Sequence, residues 1–181
     1  MKEIRLYLKF PTLEDKENVV EFKNEFLESG QNMAGVAGLD SANSYEEWLV
    51  KVEEGTKPCS IEEFVPATLF LVYRKHDNRL VGMVHIRHRL NKKLFESGGH
   101  IGDCVRPSEQ GKGYATEQIG LALNKCKELG IEKVLMTCKK LNEASAKTII
   151  KNGGVLENEL IFNQEVVQRY WIELNNKHLE M

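Results

Sequence analysis

A chain of 181 residues, 41% hydrophobic and 29% charged, is long enough for one domain with a substantial core and too short for two of ordinary size. A formal net charge of −2 excludes the basic excess that points to nucleic acid or an anionic membrane surface. The opening residues carry charges throughout and lack a signal peptide's apolar stretch, and no run is apolar enough to span a bilayer, so a cytoplasmic chain is expected.

The elements follow from hydrophobic spacing. Ile4, Leu6, Leu8 and Phe10 alternate with Arg5, Tyr7 and Lys9, a strand that Pro11 ends. Thr12 and Asp15 mark a helix start, and Val19, Phe22 and Phe26 recur at helical spacing until Gly30. Gln31 to Asp40 reads as a flexible, glycine-rich loop, after which Ser44 caps a short helix carrying Trp48 and Leu49. ATLFLVYR and RLVGMVHIRH, separated by KHDN, predict a hairpin, and RLNKKLFESGG a polar connection.

HIGDCV is the next strand, followed by the turn RPSEQGKG. Ala115, Ile119, Ala122, Cys126 and Leu129 then recur in steps of four and three, a helix ending at Gly130. EKVLMTC is a buried strand, Asn142 opens a helix through Ile149 and Ile150, and Gly153-Gly154 stops it. GVLENELIFN and EVVQRYWIEL close the chain as strands. The order β-α-α-β-β-β-α-β-α-β-β predicts a single domain over 1–181, an α/β fold with a mixed sheet and helices on both faces. Cys59, Cys104, Cys126 and Cys138 form no CxxC pair and no metal-ligand spacing with the five histidines, so free thiols and no metal are expected.

A glycine turn between a strand and a helix is a place to hold phosphate, because the first helical N–H groups have no internal partners and carry partial positive charge. A Walker-type loop fails here, since Lys112 precedes Gly113 and Tyr114 follows it. The dinucleotide fingerprint fails too: Thr116 stands where a third glycine is needed, and the next strand ends TCKK without a ribose-binding acid. A third pattern, [QR]-x-x-G-x-[GA], is met by Gln110, Gly113 and Ala115.

With VRPSEQGKGYATE, a later GI before a strand, and Asn142 and Ser145 opening a helix, the chain resembles the GNAT superfamily of acyl-CoA-dependent N-acetyltransferases. The resemblance covers nearly the whole chain and is densest from Gly99 to Gly154; SGGHIG, VRPSE and KNGGVLEN are similar to a bacterial subgroup of predicted acetyltransferases. It implies a GNAT-like fold with a bent mixed sheet, and acetyl-CoA as co-substrate. The diphosphate of coenzyme A would lie on the amides of Gly111, Lys112, Gly113, Tyr114, Ala115 and Thr116, next to Gln110, with the Lys112 ammonium at the rim. The strands His100 to Val105 and Lys133 to Cys138 would splay around the pantetheine arm, a backbone N–H near Cys104 and Val105 would polarise the thioester, and Asn142 and Ser145 would hold the arm. Read from the residues alone, Asn142 is equally a helix cap and Ser145 a plain helix residue.

The resemblance also places a general base at His100, with Asp103 the second candidate. An imidazole of ordinary pKa about 6.5 suits the task at neutral pH. Many relatives carry a tyrosine where Ile149 stands, which leaves solvent, Tyr114 or Tyr170 to protonate the departing thiolate. Cys104 reads as a buried strand residue more readily than as a nucleophile, and Trp48 and Trp171 as core or interface anchors. The acceptor, a small-molecule or peptide amine, would be gripped by the loop and helix after Gln31 and by Phe162 to Tyr170, with Asp40, Glu46 and Glu47 available to attract a cation. The leading reading is an N-acetyltransferase working by direct transfer, in a monomer or homodimer; a non-catalytic acyl-CoA sensor and a nucleotide-binding regulatory domain are the alternatives.

Overall fold

Leu6 and Leu8 face inward from β1 (Leu6–Lys9), the outer strand of an antiparallel sheet whose order is β1-β2-β3-β4. In the computed structural model, which describes residues 3–174 apart from 59 and 62, the other three strands are β2 (Ala67–Arg74), β3 (Arg79–Arg87) and β4 (Ile101–Val105). A second antiparallel sheet, β5-β7-β6, is built from β5 (Lys133–Lys139), β6 (Val155–Phe162) and β7 (Glu165–Glu173). The expected α/β class holds, and the expected bent sheet takes the form of two antiparallel sheets that touch where His100 N–H donates to Leu135 O (2.8 Å). Beyond that contact β4 and β5 part, which opens the cleft described below.

Helices cover both faces. α1 (Lys16–Ser29) and α2 (Tyr45–Gly55) pack Val19, Phe22, Phe26, Trp48 and Val52 against Leu69, Leu71, Leu80 and Met83. α4 (Tyr114–Glu128) and α5 (Glu143–Lys151) pack Ile119, Ala122, Cys126 and Ile149 against Val72, Val84, Ile86, Val134 and Met136 on the other face. Each fully buried large side chain contributes about 1.5–3 kcal/mol. A bulge explains why both Leu80 and Met83 reach the α1 side. The register skips Val81 between Val72↔Gly82 and Tyr73↔Leu80, and one extra residue reverses the alternation. The polar connection after β3 contains a short helix, α3 (Lys92–Glu96), capped by Asn91 Oδ1 accepting from Leu94 N–H (2.9 Å). Cys59 lies outside the described residues; Cys104, Cys126 and Cys138 are free thiols. No helix among the described residues is long and apolar enough to cross a membrane.

The loop after α1, expected to be flexible, is seated. Val36 and Leu39 are buried with α1 and α2, and Trp48 Nε1 donates to Val36 O (2.8 Å). Gly35, at φ +63°, lies directly against β4: a Cβ there would sit 2.2 Å from the carbonyl of Gly102. Alanine at 35 would have to combine left-handed backbone with a collision against a strand. Gly35→Ala is therefore expected to cost about 2–4 kcal/mol, the sum of left-handed strain and overpacking, and to lower the melting temperature by roughly 5–15 °C. A thermal melt unchanged from wild type would show the loop to be free.

Candidate active site

The chain leaves β4 through Arg106 and a tight turn at Pro107–Glu109, and Gly111 (φ +76°) and Gly113 (φ +83°) then bring it into α4. Both angles belong to the left-handed region, where only the lack of a Cβ removes strain. Gly113 caps α4 with no side chain, and among the described residues the N–H groups of Gly111 through Thr116 find no internal acceptor. Six successive amides at the positive end of a 15-residue helix make a nest for an anion.

Ion pairs hold this nest rigid. Glu109 is buried and takes Arg74 (2.8 Å), Arg79 (3.0 Å) and Lys112 (2.8 Å). Lys112, expected as a free charge at the rim, is thus already paired. Arg106 is buried and reaches back to α1, where it meets Glu21 (2.5 Å) and Glu25. Burial alone would raise the Glu25 pKa, but hydrogen bonds from Arg106 and Ser108 outweigh it and hold the carboxyl at about 2. Arg5 donates to Lys112 O (3.3 Å), while Glu117 in the first turn of α4 accepts from the backbone N–H groups of Arg5 (2.6 Å) and Leu6 (2.8 Å). The Tyr114 ring is buried with the Arg5 guanidinium 4.5 Å from its centroid, and its hydroxyl accepts from Arg74 (3.2 Å), so it packs the turn. None of these charged partners was visible in the sequence. Glu117 and Arg5 are 112 residues apart, and nothing about the E of VRPSE marks it as buried.

The cleft follows from strand register. Ile101, Asp103 and Val105 pair with Ile86, Val84 and Gly82, and the flanking bonds Arg87 N–H to His100 O (2.7 Å) and Arg106 N–H to Val81 O (2.8 Å) fix the parity. The N–H groups of Asp103 and Val105 consequently point away from β3, toward the gap beside β5. Two cavities occupy that gap. One of about 350 Å³, near the glycine turn, is lined by Cys104, Val105, Gln110, Ala115, Thr148 and Ile149. The other, of about 430 Å³, is lined by Gly35, Arg87, Gly102, Thr137, Phe162 and Val167. Asp103, Met136, Asn142 and Ser145 border both, so the two spaces share a wall.

Asp103 occupies the shared wall. Its Oδ2 accepts from Gln118 Nε2 (2.8 Å), and burial raises its pKa against that bond. Gln118 is fully buried and fits only because position 82 is glycine: a Cβ there would lie 2.2 Å from Gln118 Oε1. Asn142 caps α5 by accepting from Ser145 N–H (3.1 Å), which leaves its Nδ2 as a donor. Gln110 donates to Val105 O (3.1 Å) and Gln31 Oε1 (2.8 Å), closing the small cavity at its outer end.

His100 behaves otherwise. It lines neither cavity, and its Nδ1 accepts from Leu135 N–H (2.9 Å), which puts the proton of the neutral ring on Nε2. Burial, then the Arg87 charge, lowers its pKa to about 4. With one nitrogen occupied and the other protonated, the imidazole has no lone pair to offer a substrate, and the base expected here has to be sought elsewhere. The Cys104 thiol is pushed well above its usual range by burial and by Asp103, which speaks against a nucleophile. Tyr170 lines neither cavity and donates to Gln168 (2.8 Å), and Ile149 is fully buried in the small cavity's wall. Asp40, Glu46 and Glu47 also lie outside both cavities; Glu46 pairs with Lys16 (2.6 Å) and Glu47 with Lys51 (3.0 Å). Trp48 is core, and Trp171 donates to Glu157 (2.9 Å) near the surface. Among the described residues no group of His, Cys, Asp and Glu could hold a metal ion.

Comparison with known proteins agrees with this geometry. The chain is similar in fold to the microcin C7 self immunity acetyltransferase MccE in complex with acetyl-CoA and AMP, at 18% identity over 94% of this chain and 93% of that one, with a TM-score of 0.66. It is similar to the dodecameric spermidine N-acetyltransferase of Vibrio cholerae at 18% identity, 95% of each chain and a TM-score of 0.65. A GNAT-family acetyltransferase of Bacillus anthracis gives 20% identity, 96% and 98% coverage and a TM-score of 0.62. No curated protein sequence matches. The family model described as the acetyltransferase (GNAT) domain matches residues 5–155, which takes in the amide nest, the parted strands and the Asn142 helix alike. The chain belongs to the GNAT family of acetyltransferases, enzymes that take acetyl-CoA as co-substrate without a metal.

Proposed function

We propose that the protein transfers acetyl from acetyl-CoA directly to a primary amine in a ternary complex. The observation that carries this reading is the pair of cavities meeting at Asp103, one running toward the amide nest and the other opening away from it. The diphosphate would lie on the amides of Gly111 to Thr116, and the pantetheine arm in the smaller cavity against Gln110, Ala115, Asn142 and Ser145. Val105 N–H, aimed into the gap, would donate to the thioester oxygen as negative charge develops there.

The amine enters from the larger cavity and attacks the thioester carbon. Asp103 takes the proton from the attacking nitrogen, the carbon–sulfur bond breaks, and coenzyme A leaves as a thiolate. A thiol pKa of about 8.5 makes that a fair leaving group, so solvent can return the proton where Ile149 offers none. Asp103 replaces His100 as base in this reading because its carboxylate borders both cavities and one of its oxygens is free. The proposed setting is the cytoplasm, where acetyl-CoA is made and used. The homodimer raised from sequence would find apolar surface on β6, an edge strand exposing Val155, Leu156 and Ile161.

Calorimetry with coenzyme A, NAD and ATP tests the donor site, and thiol release from acetyl-CoA with a panel of amines tests catalysis. Coenzyme A alone should bind, and at least one amine should release thiol. Tight binding with no turnover on any amine would favour the acyl-CoA sensor.

A further inference from the structure

One charged group bordering the larger cavity has no role in acetyl transfer and no oppositely charged partner among the described residues. Arg87 sits at the end of β3, half-buried, with Nη1 donating to the carbonyls of Gly98 (3.2 Å) and Gly99 (3.5 Å). Among the described residues it pairs with no carboxylate, and Nε and Nη2 find no acceptor. Those two atoms form one edge of the guanidinium plane, the fork that grips a carboxylate or phosphate with two parallel bonds. The fold makes room for the group: a Cβ at Gly102 would lie 3.0 Å from Nη2, so glycine on β4 leaves the guanidinium its place.

Among the described residues no carboxylate pairs with it. The facing residues on β3 and β4 are His85, paired across from Gly102, and His100; burial, then the Arg87 charge, keeps both rings neutral at neutral pH, each with a pKa of about 4. Among the described residues, the other charged groups bordering the cavity are Asp103, in the wall shared with the small cavity, and Lys139 and Glu165, which pair with each other (2.8 Å). Leaving a cation unpaired in such a place is costly unless a ligand completes it. Coenzyme A is not that ligand, because its amide nest follows the opposite end of β4.

We propose that the acceptor is an amine that also carries an anionic group, carboxylate or phosphate, and that Arg87 holds that group while the amine faces Asp103. This rests on the larger cavity being the acceptor site. It distinguishes the protein from enzymes acting on polyamines, whose every group would be repelled by Arg87.

Matched acceptors test it: glycine and β-alanine against their amides, phosphoethanolamine against ethanolamine, and spermidine as the polycation. For wild type, kcat/KM should favour the anionic member of at least one pair by about 10- to 100-fold, the value of a charged hydrogen-bonded contact, and the favoured pair tells carboxylate from phosphate. Arg87→Met should erase the preference while leaving the neutral member's rate within a few-fold. Arg87→Lys, which keeps the charge without the fork, should fold normally and retain only part of it. Equal or better use of the neutral members or of spermidine would overturn the proposal. If no acceptor is acetylated, calorimetry on protein saturated with coenzyme A decides, and absence of binding by the anionic members overturns the proposal while leaving the coenzyme A site intact. Failure to bind coenzyme A at all would instead remove the functional reading beneath it.

Discussion

Asp103→Asn is expected to lower kcat by about 10²- to 10⁴-fold, the usual contribution of a positioned base, with little change in coenzyme A affinity. An alkyl amine of pKa about 10.4 is neutral in only about one molecule in a few thousand at pH 7, a cost of roughly 4–5 kcal/mol that a base at the reacting nitrogen offsets. Asparagine keeps the size of the side chain and an oxygen to accept from Gln118, so the packing of the shared wall survives. The pH dependence supplies the sharper reading. Burial raises the Asp103 pKa, and a protonated carboxyl cannot accept the amine's proton, so wild-type kcat/KM should fall on the acid side as Asp103 protonates. In Asp103→Asn that limb should vanish, leaving only the rise due to the amine's own deprotonation. The stability linkage has the opposite sign to an ion-paired carboxylate: a raised pKa means the folded state holds the proton more tightly, so burial of Asp103 disfavours folding increasingly as pH rises through that pKa. The variant should therefore melt at or slightly above the wild-type temperature at pH 7. His100→Ala should leave the acid limb in place, because the ring already spends Nδ1 on Leu135. An Asp103→Asn enzyme with the wild-type rate and profile would take the carboxylate out of the chemistry.

The contrast between these two residues shows what a sequence can and cannot disclose. Local patterns read well: the period-two run of β1, the caps at Ser44 and Asn142, and the stops at Gly30 and Gly130 describe interactions a few residues long, and each element forms near its expected bounds. The turn was legible because positive φ at 111 and 113 leaves a mark in the sequence as glycine. Non-local matters read poorly. Whether a titratable group in HIGDCV faces the gap depends on the parity of β4 against β3 and on how far β5 stands away. That parity is set by backbone bonds at His100 and Arg106, which no side-chain pattern along the sequence records. The Gln118 that supports Asp103 lies 15 residues downstream in what reads as a plain helix, and the loop glycine that looked mobile, Gly35, is the one pressed onto the strand. Burial is the second hidden variable. Glu109 and Arg106 read as surface charges in a turn, yet both are buried and tie that turn to β2, β3 and α1.

Gly113→Asp is expected to weaken coenzyme A binding by at least 100-fold while the protein remains folded. The two halves of that outcome have separate causes. For the fold, position 113 has φ +83°, and aspartate is among the side chains that tolerate left-handed backbone best, at about 1–2 kcal/mol. Space is not limiting either: the nearest atom to a Cβ there is Arg5 Nη2 at 3.7 Å, a distance that invites a salt bridge rather than a clash. Circular dichroism and the melting temperature should stay close to wild type. For the ligand, the substitution puts a negative charge in the turn whose amides have no other partner, and that charge opposes the diphosphate. Each charge-assisted bond lost is worth roughly 1.5–3 kcal/mol, so losing two already gives the predicted fall in affinity. Gly113→Ala separates charge from shape, since it adds at least as much backbone strain but leaves the amides exposed; it should bind coenzyme A more tightly than Gly113→Asp by most of that margin. Calorimetry on the three proteins at one salt concentration makes the comparison. Equal affinities across the series would mean that the diphosphate is held somewhere other than the start of α4, and the assignment of the small cavity to the pantetheine arm would lose its anchor.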